Sequence, residues 1–394
     1  MPIAIVGGGI GGMAAALALA RVGRFVLVLE QAPAFGEVGA GVQLGPNAVK
    51  VLRLWGLEEA ARAVAFAPEA AEVRDAATGR VRVRVPLGED AERRWGAPYL
   101  QMHRADLHAI LTEAALATGR VEVRAGFALT EFEQTRAAVM IGGAKGELLT
   151  ASALIGCDGV RSTVRHLLFG RGRERFSGQT AWRALVPAGD LPAGLVPPVA
   201  QVWAGPHAHA VHYYVRGGEL VNLVAVTQGP LFSTESWSEP GDRAELAAAF
   251  QGWPTQVRTL IDAAPSVMRW ALHDRAPLAR WSRGRVSLAG DAAHPMLPYL
   301  AQGAAMAIED AQSLAAHLGR DEQVPPALAA YEAERRPRTA RVQAWSRRNA
   351  TLFHLAEPFS SAAFGAAAIA DRVTSGGAAA RFDWLYGYCR TPDA

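Results

Sequence analysis

Ile3-Ala-Ile-Val-Gly-Gly-Gly-Ile-Gly-Gly-Met13 is the stretch whose reading decides the fold. Ile3–Val6 is short, apolar and rich in branched side chains, as a buried strand is. A glycine cluster follows, then an apolar run to Val22 whose alanines and leucines favour helix. The segment lacks the basic start of a secretory leader, so it is read as structure. The expectation is a strand over Ile3–Val6, a tight turn, a helix from about Gly11 to Val22, and a second strand over Phe25–Glu30. Gly7, Gly9 and Gly12 then hold the positions of a G-x-G-x-x-G fingerprint, and Glu30 closes the second strand. Gly7 permits the turn, Gly9 lets backbone approach a pyrophosphate, and Gly12 lets helix and strand pack closely. The helix start offers unpaired N–H groups and the positive end of a dipole to phosphates. Glu30 can accept hydrogen bonds from a ribose diol. The fingerprint points to a dinucleotide and does not by itself separate FAD from NAD.

The rest of the chain sets limits on that reading. Its 394 residues suit two or three domains. Half the residues are hydrophobic and 20% are charged, so a sizeable core forms and global disorder is excluded. Of the 40 basic residues, all but Lys50 and Lys145 are arginine. They are interspersed with 37 acidic residues, for a formal net charge of +3. This reads as a composition bias rather than a nucleic-acid footprint, so no nucleic-acid partner is expected. Cys157 and Cys389 cannot build a disulfide framework and form no Cys-x-x-Cys pair, which suits a reducing, cytoplasmic compartment. No apolar run reaches transmembrane length, and no membrane partner is expected.

Outward from the fingerprint, residues 39–57 read as a glycine-rich loop followed by a helix. Arg74 to Val85 alternates arginine and valine like one half-exposed strand. Arg104 to Ala117, preceded by His103, is an amphipathic helix. Val121 to Gly146 holds strand-like stretches, and Leu154 to Gly156 is a short buried strand. Strands are expected over Ala181–Val186, Val199–Trp203, His209–Val215 and Leu220–Thr227, and helices over Arg243–Phe250 and Pro254–Ala263. Val286 to Ala289 is a buried strand. A long helix starts near Gln302, and an arginine-rich one spans Pro326–Arg348. The fold class is therefore α/β. A Rossmann-like nucleotide domain (1–73, 99–175 and 275–345) is interleaved with an α+β domain (74–98 and 176–274) built on a mostly antiparallel sheet. A C-terminal helical segment (346–394) follows.

Two further motifs give that architecture a chemistry. Leu154-Ile-Gly-Cys-Asp-Gly-Val-Arg-Ser-Thr-Val-Arg165 places Asp158 and Gly159 at a strand end. Arg285-Val-Ser-Leu-Ala-Gly-Asp-Ala-Ala-His-Pro-Met296 places Gly290 and Asp291 at another, ahead of the helix near Gln302. In this order after the glycine fingerprint, they resemble the three signatures of the class A FAD-dependent aromatic monooxygenases, the p-hydroxybenzoate hydroxylase-like fold. The resemblance covers nearly the whole chain, and its third motif is the most specific. It implies non-covalent FAD, with Gly7, Gly9, Gly12 and Glu30 holding the ADP half and Arg104 meeting the phosphates or ribityl chain. Asp158 and Gly159 would serve FAD and the nicotinamide path, Gly290 and Asp291 the ribityl hydroxyls, and Pro295 would lie against the isoalloxazine. The helix start at Gln302 and Gly303 would face the flavin N1–C2 carbonyl, where N–H groups stabilise the negative charge of reduced flavin. With one nucleotide fingerprint and no paired cysteines, the chain does not match a two-fold reductase or a disulfide reductase. It matches transient docking of NADH or NADPH, with O2 as co-substrate.

In Trp203-Ala-Gly-Pro-His-Ala-His-Ala-Val-His-Tyr-Tyr214, strand alternation places His207, His209, Val211 and Tyr213 on one face and His212 and Tyr214 on the other. His212 thus faces away from the other two histidines, and no metal site is expected. This pattern, with Arg183 upstream and Asp383-Trp-Leu-Tyr-Gly387 at the end, is similar to a subgroup of that class. The subgroup contains the 3-hydroxybenzoate 6-hydroxylases and salicylate hydroxylases, with the 6-hydroxynicotinate 3-monooxygenases as close relatives. The resemblance makes His209 the base or proton relay to a substrate hydroxyl and Tyr213 a substrate-orienting group. A histidine suits the task because its ordinary pKa lies near neutrality. Gln43 and Tyr299 stand where the pyridine-acting members carry histidine, and Pro298 where the 3-hydroxybenzoate members tend to have glutamine. These three and Arg183, a candidate partner for a ring carboxylate, are the expected substrate contacts. The expected activity is hydroxylation of a small hydroxylated aromatic carboxylic acid, of 3-hydroxybenzoate or salicylate type, through a flavin C4a-hydroperoxide, by a monomer or homodimer. Alternatives are a hydroxypyridine carboxylate, or urate-type hydroxylation, epoxidation or N-hydroxylation on the same scaffold.

Overall fold

The computed structural model describes residues 1–36, 40–170, 172, 175–229, 239–320, 323–373 and 376–390. Gly39, the first residue of the predicted glycine-rich loop, and residues 391–394 of the predicted C-terminal segment lie outside that set.

Ile3–Val6 is fully buried at the centre of a six-stranded sheet. It pairs in parallel with Ala153–Gly156 on one side and Val26–Glu30 on the other. Val286–Leu288 and Val121–Ala125 extend the parallel core at either flank. Between the first two strands runs the helix Ile10–Arg21. Its small side chains let it pack against both the sheet and the long helix Gly303–Arg320. A Cβ on Gly12 would lie 1.8 Å from the Gly7 carbonyl oxygen, so only glycine allows this helix so close to the turn. Gly7 itself has φ +100°, the left-handed region. All three motifs leave the sheet at the carboxyl ends of its parallel strands, where open α/β sheets bind ligands.

The second sheet has eight strands and is antiparallel except where Ala200–Gly205 pairs with Ala70–Asp75. At its centre Arg175–Pro187, Leu220–Gln228 and Ala208–Val215 lie side by side. Alternation splits it into two faces. Trp182, Ala184, Trp203, Ala210 and Leu223 pack under the helices Arg243–Ala249 and Thr255–Asp262. Ala181, Val226 and Trp270 pack the other way, with Leu297, Tyr299 and Phe353.

Two expectations need correction. Arg74 to Val85 is not one strand. Ala70–Asp75 and Val81–Pro86 form a hairpin, because Asp75 Oδ1 accepts from the Ala77 and Thr78 amides (3.0 and 2.7 Å) and turns the chain. The glycine-rich loop contains a strand, Gly41–Leu44, paired with Leu100–His103. The strand-like stretches expected in Val121–Gly146 are present, and Val121–Ala125 joins the large parallel sheet. Leu129–Gln134 and Val139–Gly143 form a small separate sheet with Leu148–Ala151.

The helix Val324–Leu352 clamps the third motif from below. Arg335, completely buried, donates to Glu309 (2.6 Å) and Asp310 (2.8 Å) on the neighbouring helix. Burial alone would raise the Asp310 pKa, but His294 and Arg335 hold it down at about 2.

Candidate active site between the two sheets

A cavity of about 730 Å³ opens at the carboxyl edge of the parallel sheet and runs to the inner face of the antiparallel one. At one end Gly7, Gly9, Glu30, Arg104, Asp158, Gly159, Gly290, Asp291, Gln302 and Gly303 line it. At the other are Gln43, Arg183, His209, Tyr213 and Pro298, with Val211, Val224, Trp270 and Leu297 between them. Residues far apart in sequence are thus gathered on one wall. Gly12 is not on that wall but behind it, where its lack of a side chain sets the depth of the turn.

The nucleotide end fits the dinucleotide the sequence implies. A Cβ on Gly9 would meet nothing within 4 Å, so the space beside its backbone opens towards the cavity at the start of helix Ile10–Arg21. Glu30 stands at the strand end and accepts from the Gly8 amide (2.7 Å) and the Ala32 amide (2.8 Å). The Asp158 carboxylate accepts from Ser162 Oγ (2.5 Å) and the Val164 amide (3.0 Å), capping the short helix Thr163–Phe169. Burial pushes its pKa up despite those bonds. Asp291 is exposed to the cavity. The first turn of helix Gly303–Arg320 carries no acidic residue, leaving its positive end facing the cavity.

Pro295 does not lie on the cavity wall. Met296, Leu297 and Pro298 do, and the Pro295 carbonyl turns away to accept from Gln343 (2.7 Å). Pro298 is the proline of this loop that lines the cavity. Tyr299 is also behind the wall, with its ring 4.9 Å from that of His209 and its hydroxyl donating to Gln179 (2.6 Å).

The other end is built on the register of three strands. His209, Val226 and Ala181 lie in one row across the sheet. Val211, Val224 and Arg183 make the next, and Tyr213, Asn222 and Leu185 the third. Arg183 therefore sits two strands, about 10 Å, from the strand that carries His209 and Tyr213. Its guanidinium lies 4.5 Å from the centre of the Trp270 ring. Its Nε is buried without a hydrogen-bond partner. Burial, with Arg104 adding repulsion, lowers its pKa to about 10. No carboxylate among the described residues pairs with it. Burial also pushes the Tyr213 hydroxyl up and the His209 imidazole well down, so both are neutral near pH 7.

His207 does not share the strand face. It sits in the preceding turn at φ +63°, exposed, beside Gln228 Oε1 (2.8 Å). His212 faces the opposite layer and accepts from Trp203 Nε1 (3.1 Å). Among the described residues no three His, Cys, Asp or Glu side chains are gathered as they would be for a metal ion. Sequence reading missed Trp270, which stacks on Arg183, and His354, which meets His209 and is itself met by Gln179 and Gln228. Alternation in Met268–Asp274 was the one available signal, and it would have placed Trp270 on this face.

The chain matches the FAD binding domain family over residues 1–346. It is 42% identical over 356 residues to a 3-hydroxybenzoate 6-hydroxylase of Polaromonas naphthalenivorans (strain CJ2), covering 90% of this chain and 88% of that one. It is 39% identical over 355 residues to a 6-hydroxynicotinate 3-monooxygenase of Bordetella bronchiseptica, covering 89% and 91%. The solved structure of a salicylate hydroxylase substrate complex superposes with a TM-score of 0.81 at 27% identity, covering 98% of this chain and 95% of that one.

Proposed function

This chain belongs to the FAD binding domain family, and from that premise we propose that it hydroxylates a small aromatic ring bearing a carboxylate and a hydroxyl, of 3-hydroxybenzoate or salicylate type. It is an enzyme of the flavin-dependent aromatic-ring monooxygenase type, with FAD as its cofactor. When bound, reduced FAD supplies the electrons with which O2 is split, one oxygen atom entering the ring and the other leaving as water. NADH or NADPH is the reductant of this class.

One observation carries the substrate reading. Arg183, half-buried with its Nε enclosed and with no acidic partner among the described residues, shares a cavity wall with His209 and Tyr213. A partly enclosed guanidinium without a countercharge gains when an anion meets it. A ring carboxylate fits that position and binds in a charge-assisted pair. The span of about 10 Å between the strands then holds one aromatic ring, its hydroxyl beside His209 and Tyr213. Neutral His209 controls the ionisation of that hydroxyl and so the electron richness of the ring. Val211, Val224, Trp270 and Leu297 keep water from the reacting carbon, which protects the oxygenating flavin from wasteful decay. Gly7, Gly9, Glu30, Arg104, Asp158, Asp291 and the helix start at Gly303 hold FAD in this reading, with Pro298 beside its ring.

A hydroxypyridine carboxylate is the second reading, supported by the 6-hydroxynicotinate relative. Gln43 and Tyr299 in place of ring-nitrogen partners count against it. The working form is a monomer or homodimer in the cytoplasm, without nucleic-acid or membrane partners. Two unpaired cysteines suit that compartment, and no helix among the described residues is long and apolar enough to cross a membrane. The test is aromatic-acid-stimulated NADH and NADPH oxidation across salicylate, 3- and 4-hydroxybenzoate and 6-hydroxynicotinate, with product identification. Stimulation with a hydroxylated product from a hydroxybenzoate is expected. Turnover of the pyridine alone, or of none, overturns the proposal.

A further inference from the structure

His209 Nδ1 lies 2.8 Å from Nε2 of His354, and both rings are buried. His354 is not on the cavity wall. It arrives just after the helix Val324–Leu352 and reaches the site only through His209. Its other nitrogen, Nδ1, faces two side-chain amide nitrogens, Gln228 Nε2 at 3.0 Å and Gln179 Nε2 at 3.2 Å. The oxygens of those amides are engaged elsewhere. Tyr299 donates its hydroxyl to Gln179 Oε1 (2.6 Å), and His207 Nδ1 lies 2.8 Å from Gln228 Oε1.

The direction of the chain follows from these partners. Two amide N–H groups converge on His354 Nδ1, so that nitrogen is a bare acceptor. A neutral imidazole carries one N–H, so the His354 proton is on Nε2 and is donated to His209 Nδ1. His209 must then carry its own proton on Nε2, the nitrogen left for the cavity. We infer that His354 is a positioning residue for His209, fixing it as the tautomer that presents Nε2–H to the substrate oxygen. The inference rests on the reading of this cavity as the substrate site.

The consequence is chemical. His209 does not store the phenolic proton. It meets the ring oxygen as a donor and stabilises its anion, a charge-assisted hydrogen bond in a dry pocket. The substrate O–H bond breaks with its proton passing to solvent water. The electron pair stays on oxygen, and no bond of His209 breaks. Burial holds both imidazoles below their ordinary pKa, His354 at about 4, which agrees with a neutral pair. The titratable or charged groups around the pair are Tyr213, Tyr299, His207 and Arg183.

Two measurements test this. The first titrates a nitro-substituted 3-hydroxybenzoate bound to the oxidised holoenzyme, since its phenolate absorbs in the visible. The native enzyme is expected to lower the pKa of the bound phenol. His354→Leu should raise it again by about one unit. His354→Gln, whose amide N–H can replace the Nε2–H, should keep the native value. All three should bind benzoate, which has no hydroxyl, with the same affinity. A leucine variant that keeps the native value overturns the inference, as does a glutamine variant that fails like leucine while benzoate still binds. The second is ¹⁵N NMR of the histidine-labelled protein without any aromatic acid, which reads tautomers whatever the substrate proves to be. His209 protonated on Nε2 in the native protein, and on both nitrogens in exchange in His354→Leu, is expected. Native His209 protonated on Nδ1 overturns the inference even if the hydroxybenzoate reading stands. Failure of the native enzyme to bind either acid, with the Nε2 tautomer present, overturns the substrate reading instead.

Discussion

Asp310 Oδ2 accepts a hydrogen bond from the Gly290 amide at 2.9 Å, which ties the loop bearing Asp291 to the helix beneath it. The same oxygen accepts from His294 (2.5 Å), and the other oxygen is held by Arg335. One buried carboxylate thus links the cofactor edge to the helix Val324–Leu352. Arg335→Met removes the buried cation shared by Glu309 and Asp310, leaving Arg338 on the first and His294 on the second. It should lower stability by about 3 kcal/mol, because a buried charge network broken at one member is only partly compensated by the partners that remain. Urea denaturation measures it. Arg93→Met, which breaks only exposed pairs to Glu89 and Asp90, is the control and should change stability by less than about 0.5 kcal/mol.

Gly12 and Gly9 of the fingerprint should fail differently. A Cβ at position 12 collides with the Gly7 carbonyl, so Gly12→Ala should unfold or displace the helix and lower the melting temperature of flavin-free protein. A Cβ at position 9 meets no protein atom, so Gly9→Val should leave flavin-free stability near native and weaken FAD binding by at least about tenfold. Equal loss of stability in both would show that the space beside Gly9 is not a ligand cradle.

Arg183→Met should trade one property for another. Removing a half-buried guanidinium with no acidic partner among the described residues should leave ligand-free stability unchanged or higher. The KM of a carboxylated substrate should rise by about 10- to 100-fold, the worth of a charge-assisted pair, with a smaller change in kcat. A KM that stays native places the carboxylate elsewhere.

His209→Ala should uncouple the reaction. NADH oxidation stimulated by the aromatic acid should continue, while hydrogen peroxide replaces most of the hydroxylated product, since the ring is no longer activated beside the flavin. Full coupled turnover in that variant would remove His209 from the mechanism.

What the sequence made legible was local. The fingerprint, its helix and Glu30 lie within thirty residues and obey short-range rules of turn, packing and dipole. His209 and Tyr213 were placed on one face because strand period is a local property. His207 was misplaced because alternation was carried one residue past the strand into a left-handed turn. The Arg74–Val85 hairpin was missed because arginine and valine alternate on both sides of a turn built by Asp75. Pro295 and Pro298 share one loop three residues apart, and only its path shows that Pro298 is the one on the cavity wall. His354 could not be found this way. It meets His209 across 145 residues of chain, and nothing in its neighbourhood marks it.

The buried histidines set the acid limit of the fold. His209, His212 and His354 are all held neutral, chiefly by burial, with His354 at about 4 and His212 at about 3. In the unfolded chain each regains an ordinary pKa near 6.5. Below that pH the unfolded state binds protons that the folded state refuses, so stability falls as pH falls. Each histidine adds a slope of up to about 1.4 kcal/mol per pH unit. The slope ends for His354 below about 4 and for His212 below about 3. Asp310 acts in the same direction at lower pH. Its folded value near 2 stabilises the protein above the ordinary carboxylate range and is lost as pH falls towards 2. Urea denaturation from pH 7 to pH 5 should therefore show a steep loss. His212→Gln can still accept from Trp203 and cannot titrate, so it should lower that slope by about 1 kcal/mol per unit. An unchanged slope would mean that folded His212 takes up its proton as readily as the unfolded residue does, which its bond from Trp203 forbids.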